Sequence, residues 1–254
     1  MEIYSAILFF IFGTIFGSFY NVVGYRLPLG QSLIYPSSHC TKCNHKLGFL
    51  ELIPIVSYLF LRGKCKNCGQ KVSCFYPIFE FLSGILFMVS YLIFGYSIDL
   101  IIALIFISML LIIIISDYQT FIIPDEVLIT SIILLIIPII LKNGIKGLGL
   151  SILSGAIAFS IMFLLKKLGD FMFKKESMGG GDIKLMFVFG LVLGWQASIL
   201  SIFIASIIGL PISLILLNKN KSHEIPFGPF LAVAAIILLF TGIDFNSIFN
   251  LMLK

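Results

Sequence analysis

The chain has 254 residues, of which 59% are hydrophobic and only 11% are charged, and its mean hydropathy is +1.13. A soluble domain of this size has roughly half apolar and about a quarter charged residues. The apolar residues are concentrated in long runs, so the composition excludes an ordinary soluble domain and predicts a polytopic membrane protein.

Eight apolar runs are candidate membrane spans, because one crossing of the hydrocarbon core needs about 20 apolar residues. They are residues 3–23, 77–95, 98–116, 127–141, 147–166, 183–196, 197–217 and 227–249. The predicted fold class is therefore all-α, with about eight transmembrane helices. Turns are expected at 95–97, 142–147 and 194–196, and we find no internal repeat in the sequence.

The first run, residues 3–23, is preceded by one acidic residue and lacks the basic start and small-residue cleavage site of a secretory signal. We interpret it as a retained transmembrane helix. Gly13 and Gly17 lie four residues apart and therefore on one helical face, which predicts close packing against another helix.

Basic residues predict the orientation, since loops on the cytoplasmic side carry an excess of Lys and Arg. Seven of the 17 Lys and Arg residues lie in segment 24–76, whereas only Lys142, Lys146 and Lys254 fall on the opposite side of an eight-span arrangement. We expect segment 24–76 to be cytoplasmic and both termini to be outside. The net charge of +5 then reflects topology, and we expect no nucleic-acid partner.

Segment 24–76 is the only sizeable polar region, and it is too short to form a stable core without a metal or disulfide staple. It contains two C-x2-C pairs that are 21 residues apart, formed by Cys40, Cys43, Cys65 and Cys68. Four thiolates suit a closed, structural zinc site. Disulfides are the alternative, but they need an oxidising compartment. His39 and His45 are alternative ligands, and Cys74 is expected to pack.

Two aspartates at the ends of apolar runs are candidate catalytic residues. Asp117 follows the run 98–116, and Asp182 follows the glycine run Gly179-Gly180-Gly181. An ionisable group at membrane depth is a functional candidate by default. Two adjacent carboxyl groups share a proton, so that one can activate water while the other polarises a peptide carbonyl. The glycines would allow an extended substrate backbone to approach closely.

Simpler roles for these residues are alternatives. Asp182 is a suitable N-cap for the sixth span, and Asp117 would then only mark the end of the third. Asp125 competes with Asp117 as the partner of Asp182, although its place at a helix start suits a charge stabilised by the helix dipole. Lys184 is expected to extend towards the membrane surface. A transporter that uses the aspartates to bind a cation or proton is a second functional class.

In their order along the chain, the motifs resemble those of the bacterial type IV prepilin leader peptidases, which are membrane aspartyl proteases and N-methyltransferases. The resemblance covers nearly the whole chain. It rests on residues 16–23, Tyr25-Arg26-Leu27-Pro28, the two C-x2-C pairs, Ile53-Pro54, residues 61–65, Tyr76-Pro77, Glu80, Asp117, Ile123-Pro124-Asp125, residues 178–185 and residues 226–231.

The resemblance implies that the protein cleaves the basic leader of a prepilin or pseudopilin after a glycine at the cytoplasmic face of the bacterial cytoplasmic membrane. It also implies N-methylation of the new terminus with S-adenosylmethionine as the methyl donor. Asp117 and Asp182 would be the catalytic pair and the four cysteines the zinc ligands. Gly63 and Lys64 would bind the methyl donor, and a turn beside the zinc is the alternative role for these two residues. A relative that only cleaves is an alternative.

This resemblance divides the chain into three parts. They are a first transmembrane helix (1–23), a cytoplasmic four-cysteine zinc domain linked to methylation (24–76), and a transmembrane aspartyl peptidase domain (77–254). Segment 24–76 contains no nucleotide-binding fingerprint such as G-x-G-x-x-G, so the methyl-donor assignment follows from the resemblance alone.

Overall fold

A computed structural model describes residues 2–176, 178–219 and 226–243, which are mainly helical and contain no β-strand. The helices are α1 (Glu2–Arg26), α2 (Val56–Phe60), α3 (Phe75–Phe94), α4 (Ile98–Thr120), α5 (Asp125–Phe173), α6 (Gly180–Leu193), α7 (Trp195–Lys219) and α8 (Gly228–Thr241). Five helices in the described ranges are long and apolar enough to cross a membrane. The all-helical, membrane-spanning class is thus confirmed.

The chain forms two compact units, Met1–Tyr96 and Ser97–Lys254. In the first unit, α1 packs along α3 through its glycines. A Cβ atom built on Gly13 would lie 2.8 Å from Gly84 Cα, and one built on Gly17 would lie 2.9 Å from Glu80 Cα. Such contacts leave no room for a side chain, so the predicted close packing at both glycines is confirmed.

The polar segment between α1 and α3 contains two small loops, which we call knuckles, each carrying one C-x2-C pair. In the first knuckle, the backbone N–H of Leu47 donates to the carbonyl oxygen of Ser38 at 2.9 Å. Inside it, the N–H of Cys40 donates to the carbonyl oxygen of His45, also at 2.9 Å. These bonds satisfy backbone groups that have no helix or sheet to pair with.

The second knuckle repeats this pattern 25 residues later along the chain. The N–H of Val72 donates to Gly63 at 2.8 Å, and that of Cys65 donates to Gln70 at 2.8 Å. The expectation of no internal repeat is therefore wrong. Sequence inspection missed the repeat because the two knuckles share backbone hydrogen bonds while most of their side chains differ.

Cys74, which was expected to pack, is exposed just before α3.

In the second unit, α5 covers both the fourth and the fifth predicted spans. The loop expected at 142–147 is absent, and the break is the single residue Gly144, with φ 69° and ψ −179°. Only glycine adopts this backbone conformation readily, so one residue replaces a loop. The other two predicted turns are confirmed, at Gly95 (φ 58°) and Gly194 (φ 84°).

Helices α6 and α8 are each 14 residues long. The eighth predicted span extended to residue 249, and its part beyond residue 243 lies outside the described residues. Helices α5 and α6 approach each other closely, and a Cβ atom on Gly190 would lie 2.5 Å from Gly155 Cα and 2.5 Å from the carbonyl oxygen of Ser154. Neighbouring rings of Phe106 and Phe189 pack edge to face, 5.6 Å apart.

We predict that Gly190→Ala destabilises the protein by about 1–3 kcal/mol, because the added methyl group must push two backbones apart. Gly149→Ala is the matched control: it lies in the same helix pair, and its Cβ would meet no atom within 4 Å. Thermal unfolding in detergent measures the difference. Equal stability of the two variants would contradict the packing described here.

Candidate active site and metal centre

Asp117 lies one turn before the end of α4, and its side chain is buried. Its Oδ2 accepts a hydrogen bond of 3.0 Å from the backbone N–H of Gly228, the first residue of α8. The α4 helix stops directly afterwards, because Phe121 takes a left-handed conformation and donates its N–H to the carbonyl oxygen of Asp117 at 3.0 Å. The first N–H of one helix thus meets the carboxylate near the end of another.

Only glycine fits at position 228, because the space next to its Cα is occupied by other atoms. A Cβ atom built on it would lie 2.6 Å from Asp117 Oδ2 and 3.3 Å from Ile123 Cδ1. Any other residue would displace the carboxylate. Sequence reasoning noted Gly228 only as part of the motif 226–231 and gave it no role, because its partner is 111 residues away.

Asp182 is the third residue of α6 and is also buried. The N-cap position is occupied by Gly179, so the interpretation of Asp182 as a simple N-cap is wrong. Its Oδ1 is buried and has no hydrogen-bond partner among the residues that the structure describes. Such an orphaned oxygen is rare in folded proteins and is typical of catalytic sites.

The two aspartates meet around Ile123. Gly181, the neighbour of Asp182, packs so closely that its Cβ would lie 2.7 Å from Ile123 Cβ, while Gly228 contacts both Ile123 and Asp117. Asp117 lies close enough to Asp182 for the two negative charges to repel each other. The structure therefore brings together two carboxyl groups that are 65 positions apart in the sequence.

Asp125, the alternative partner of Asp182, has a different role. Both of its carboxylate oxygens accept hydrogen bonds from Lys184 Nζ, at 2.6 and 2.8 Å, on the exposed surface. Lys184, which is expected from the sequence to extend towards the membrane surface, forms this exposed ion pair. The pair links the start of α5 to the first turn of α6, next to the aspartates but outside their buried site.

The four cysteine sulfur atoms converge between the two knuckles, and all lie within 4.8 Å of one another. Cys40 Sγ is 3.8 Å from Cys68 Sγ, and Cys43 Sγ is 3.9 Å from Cys65 Sγ. Tetrahedral coordination with metal–sulfur bonds of about 2.3 Å separates the sulfurs by about 3.8 Å. All four cysteines are free thiols, so the structure favours metal binding over disulfides.

Backbone N–H groups near the cluster act to lower the pKa of the Cys40 and Cys68 thiols and so favour the thiolate form that binds a cation. The N–H groups of Cys43 and Lys42 lower the pKa of the Cys40 thiol to about 6. At Cys68 the N–H of Gln70 acts in the same direction, but desolvation and the other thiols outweigh it and raise the pKa to about 11. Four thiolates cannot coexist here without a positive ion, which would hold them all in the ionised form.

Neither candidate histidine belongs to the cysteine cluster. His39 Nδ1 lies 2.8 Å from the carbonyl oxygen of Ser37, and His45 Nε2 lies 3.2 Å from Glu51 Oε2.

Gly63 and Lys64 both belong to the second knuckle. Gly63 has φ +66°, and its N–H donates to the carbonyl oxygen of Tyr58 at 2.8 Å. The backbones of Lys64 and Lys71 form an isolated antiparallel β-bridge.

Comparison with known proteins identifies the family of this chain. Residues 11–94 match the family described as the Bacterial Peptidase A24 N-terminal domain, and residues 104–214 match the Type IV leader peptidase family. A prepilin leader peptidase/N-methyltransferase from Bacillus subtilis (strain 168) is 34% identical over 254 residues, covering 97% of each chain. The chain belongs to the type IV leader peptidase family.

Other members of the family are similarly related. The prepilin leader peptidase/N-methyltransferase of Neisseria gonorrhoeae is 33% identical, covering 92% of this chain and 89% of the relative. That of Aeromonas hydrophila is 31% identical, covering 92% and 90%. No solved structure shows a significant match to the chain. The two family matches correspond to the knuckles with α1 and α3, and to α4 through α7 with both aspartates.

We predict one tetrahedrally coordinated metal ion per chain, retained in reducing buffer. Cys43→Ser should abolish it, because three thiolates leave the site open, whereas Cys74→Ser, which removes an exposed cysteine outside the cluster, should retain it. Elemental analysis of the purified protein gives the stoichiometry. Metal-free protein with linked cysteines would contradict this prediction.

Proposed function

We propose that this protein cleaves the basic leader of type IV prepilins or pseudopilins and N-methylates the new N-terminal residue. The observation that carries the proposal is the convergence of two buried aspartates around Ile123, in a chain that shares 34% identity with a prepilin leader peptidase/N-methyltransferase over nearly its full length. The substrate class comes from the relatives, and the hydrolytic chemistry is supported by the site.

Asp117 and Asp182 then form the catalytic pair, with unequal roles. The hydrogen bond from Gly228 stabilises a negative charge on Asp117 by about 1.5–3 kcal/mol. The helix start at Asp182 contributes at most about 2 kcal/mol. Asp182 Oδ1 has no hydrogen-bond donor in the described part of the chain. We therefore assign the ionised, water-activating role to Asp117 and the protonated, carbonyl-polarising role to Asp182.

Cleavage follows from these roles. Asp117 takes a proton from water, the resulting hydroxide adds to the scissile carbonyl carbon, and Asp182 donates its proton to the carbonyl oxygen. The resulting gem-diol collapses as Asp117 gives its proton to the leaving amine, Asp182 takes a proton back from one diol hydroxyl, and the C–N bond breaks. Proton transfer of this kind contributes about 10²–10⁴-fold to the rate.

The glycine run has divided roles in this proposal. Gly181 is needed to pack on Ile123, and Gly179 precedes α6, with its Cβ position 3.7 Å from Asp182 Oδ2. A Cβ on Gly180 would meet no atom within 4 Å, so open space remains above it. We assign the closest approach of the substrate backbone to Gly180, beside Gly179.

The metal proposed for the cysteine cluster is zinc, because four thiolates in a closed site favour this ion and leave no open coordination position. Its role is structural: it would tie the two knuckles together. The relatives are named N-methyltransferases, and S-adenosylmethionine is proposed as the methyl donor from the family resemblance. Gly63 and Lys64 are part of the knuckle's hydrogen-bonded frame, so we propose that they shape the methylation region and do not themselves form a pocket.

The proposed organisation has eight spans in the cytoplasmic membrane, with the knuckles and aspartates on the cytoplasmic side. The two arms of α5, residues 125–143 and 145–173, supply the fourth and fifth crossings, and α6 and α8 supply two short ones. The functional division proposed is 1–23, 24–76 and 77–254, although α3 packs with α1 in the first structural unit.

We predict that Asp117→Asn and Asp182→Asn each lower cleavage of a co-expressed prepilin by at least about 100-fold, because each removes one side of the proton transfer. Asp125→Asn, which affects only the exposed ion pair, should retain cleavage. The mass of the pilin terminus reports both cleavage and methylation. Processing by both aspartate variants would refute the aspartyl mechanism, and cleavage without methylation would identify a cleavage-only enzyme.

We also predict that Gly180→Ala folds normally but impairs the enzyme by raising KM about 10-fold or more, because its methyl group occupies only space left for substrate. Steady-state kinetics on a prepilin peptide measures this. Unchanged KM would place the substrate backbone elsewhere. Loss of the folded protein would instead show that Gly180 is structural.

A further inference from the structure

The stretch between the two knuckles exposes large apolar side chains. We call residues 49–60 the interfacial segment; it consists of the 3₁₀ turn Phe49–Leu52 and helix α2. Four of its side chains are largely exposed: Phe49 (82%), Leu50 (74%), Leu59 (68%) and Phe60 (83%). Clustered exposed apolar residues of this size mark a binding surface, since their contact with water is unfavourable.

The centre of the segment is fixed to a membrane helix. The backbone N–H of Ile55 donates to Glu80 Oε2 of α3 at 2.7 Å, and Glu80 is buried. Ile55 has φ 62° and ψ −51°, and around it Val56 donates to the carbonyl oxygen of Pro54 at 2.5 Å. This is a γ-turn with a positive φ at its central residue. The conformation is strained for a β-branched residue and persists only where surrounding contacts stabilise it.

The attachment lies beside exposed apolar side chains of α3. Glu80 is five residues into α3, or about 8 Å along its axis. Ile78 and Phe81, on either side of Glu80 in the sequence, expose 56% and 50% of their side chains on this apolar helix. The apolar surface therefore continues past the level of Glu80, and Ile55 is held beside it.

The charge around the segment suits an anionic partner. Residues 24–76 contain seven basic residues and one acidic residue, Glu51, which gives a net charge of 7 − 1 = +6 with neutral histidines. Glu51 Oε2 accepts the backbone N–H of Gly48 at 2.8 Å, and this bond lowers the pKa of Glu51. The charge of Glu51 is thus held by the N–H of Gly48, and residues 24–76 as a whole are basic, which attracts anionic phospholipids.

We propose that the interfacial segment inserts its apolar side chains into the headgroup region of the adjacent leaflet and so holds the knuckles on an anionic bilayer surface. The partner is the lipid bilayer. The polar segment that contains it is tethered at both ends by α1 and α3, and the interfacial segment is tethered at its centre by Glu80, so little further ordering is required. Aromatic and leucine side chains beside basic residues are the composition of interfacial membrane anchors.

Tryptophan fluorescence tests this proposal, because the chain has a single tryptophan, Trp195. A Trp195→Phe background carrying Phe60→Trp is reconstituted in phosphatidylglycerol vesicles with and without brominated acyl chains. We expect at least about twofold quenching by the brominated lipid. The matched control, Thr41→Trp in the exposed first knuckle, should be quenched much less.

Two further variants test the anchor. Glu80→Ala removes the acceptor for Ile55 and should reduce the quenching at position 60, whereas Glu80→Gln retains an acceptor oxygen and should preserve it. Metal content confirms that the knuckles remain folded in each variant. Adding Asp117→Asn should leave the quenching unchanged, so a failure of the proposed peptidase activity is distinguishable from a failure of this proposal.

The proposal is overturned if Phe60→Trp is not quenched, or if it and Thr41→Trp are quenched equally. Blue-shifted but unquenched emission at position 60 would show that protein, either this chain or a second copy, covers the segment. Quenching that disappears only when a prepilin is added would identify the substrate as a competing occupant, and it would support lipid binding in the resting enzyme.

Discussion

The burial of two carboxyl groups among apolar helices is the constraint on which the second unit depends. A buried charge is stable only where hydrogen bonds or an opposite charge replace its hydration. The structure supplies this for Asp117 through the first N–H of α8, and it leaves Asp182 Oδ1 without a donor in the described residues. Helices α4, α6 and α8 are therefore arranged around the need to stabilise these buried carboxyl groups. Because only Asp117 receives a hydrogen bond from α8, the two groups differ in the way that a base and an acid should.

Glycines make this arrangement possible. Helices surrounded by lipid gain little from the hydrophobic effect on association, so close packing and hydrogen bonds must hold them together. Gly228 and Gly181 allow backbone to approach Asp117 and Ile123, and Gly190 allows α6 to contact α5. The same feature that stabilises the helices thus also positions the candidate catalytic groups.

The first unit uses a different solution, because its polar segment has no apolar core. Two knuckles with equivalent backbone hydrogen bonds present four thiols to one point, where a bound metal would supply the missing cohesion. The Ile55–Glu80 bond fastens the stretch between the knuckles to α3. Metal, buried carboxylate and lipid surface together would hold in place a segment that is otherwise too small to fold.

Local patterns in the sequence predicted the helical class and most apolar helices, and they identified the cysteines and the two aspartates as candidates, because hydropathy and short motifs depend on neighbouring residues. Gly144 as a one-residue break, the Asp125–Lys184 pair and the knuckle repeat required coordinates, since each is defined by backbone geometry or by contacts across the chain. The partnership of Gly228 with Asp117 is the clearest case: 111 residues separate them, and only the packed helices bring the N–H to the carboxylate.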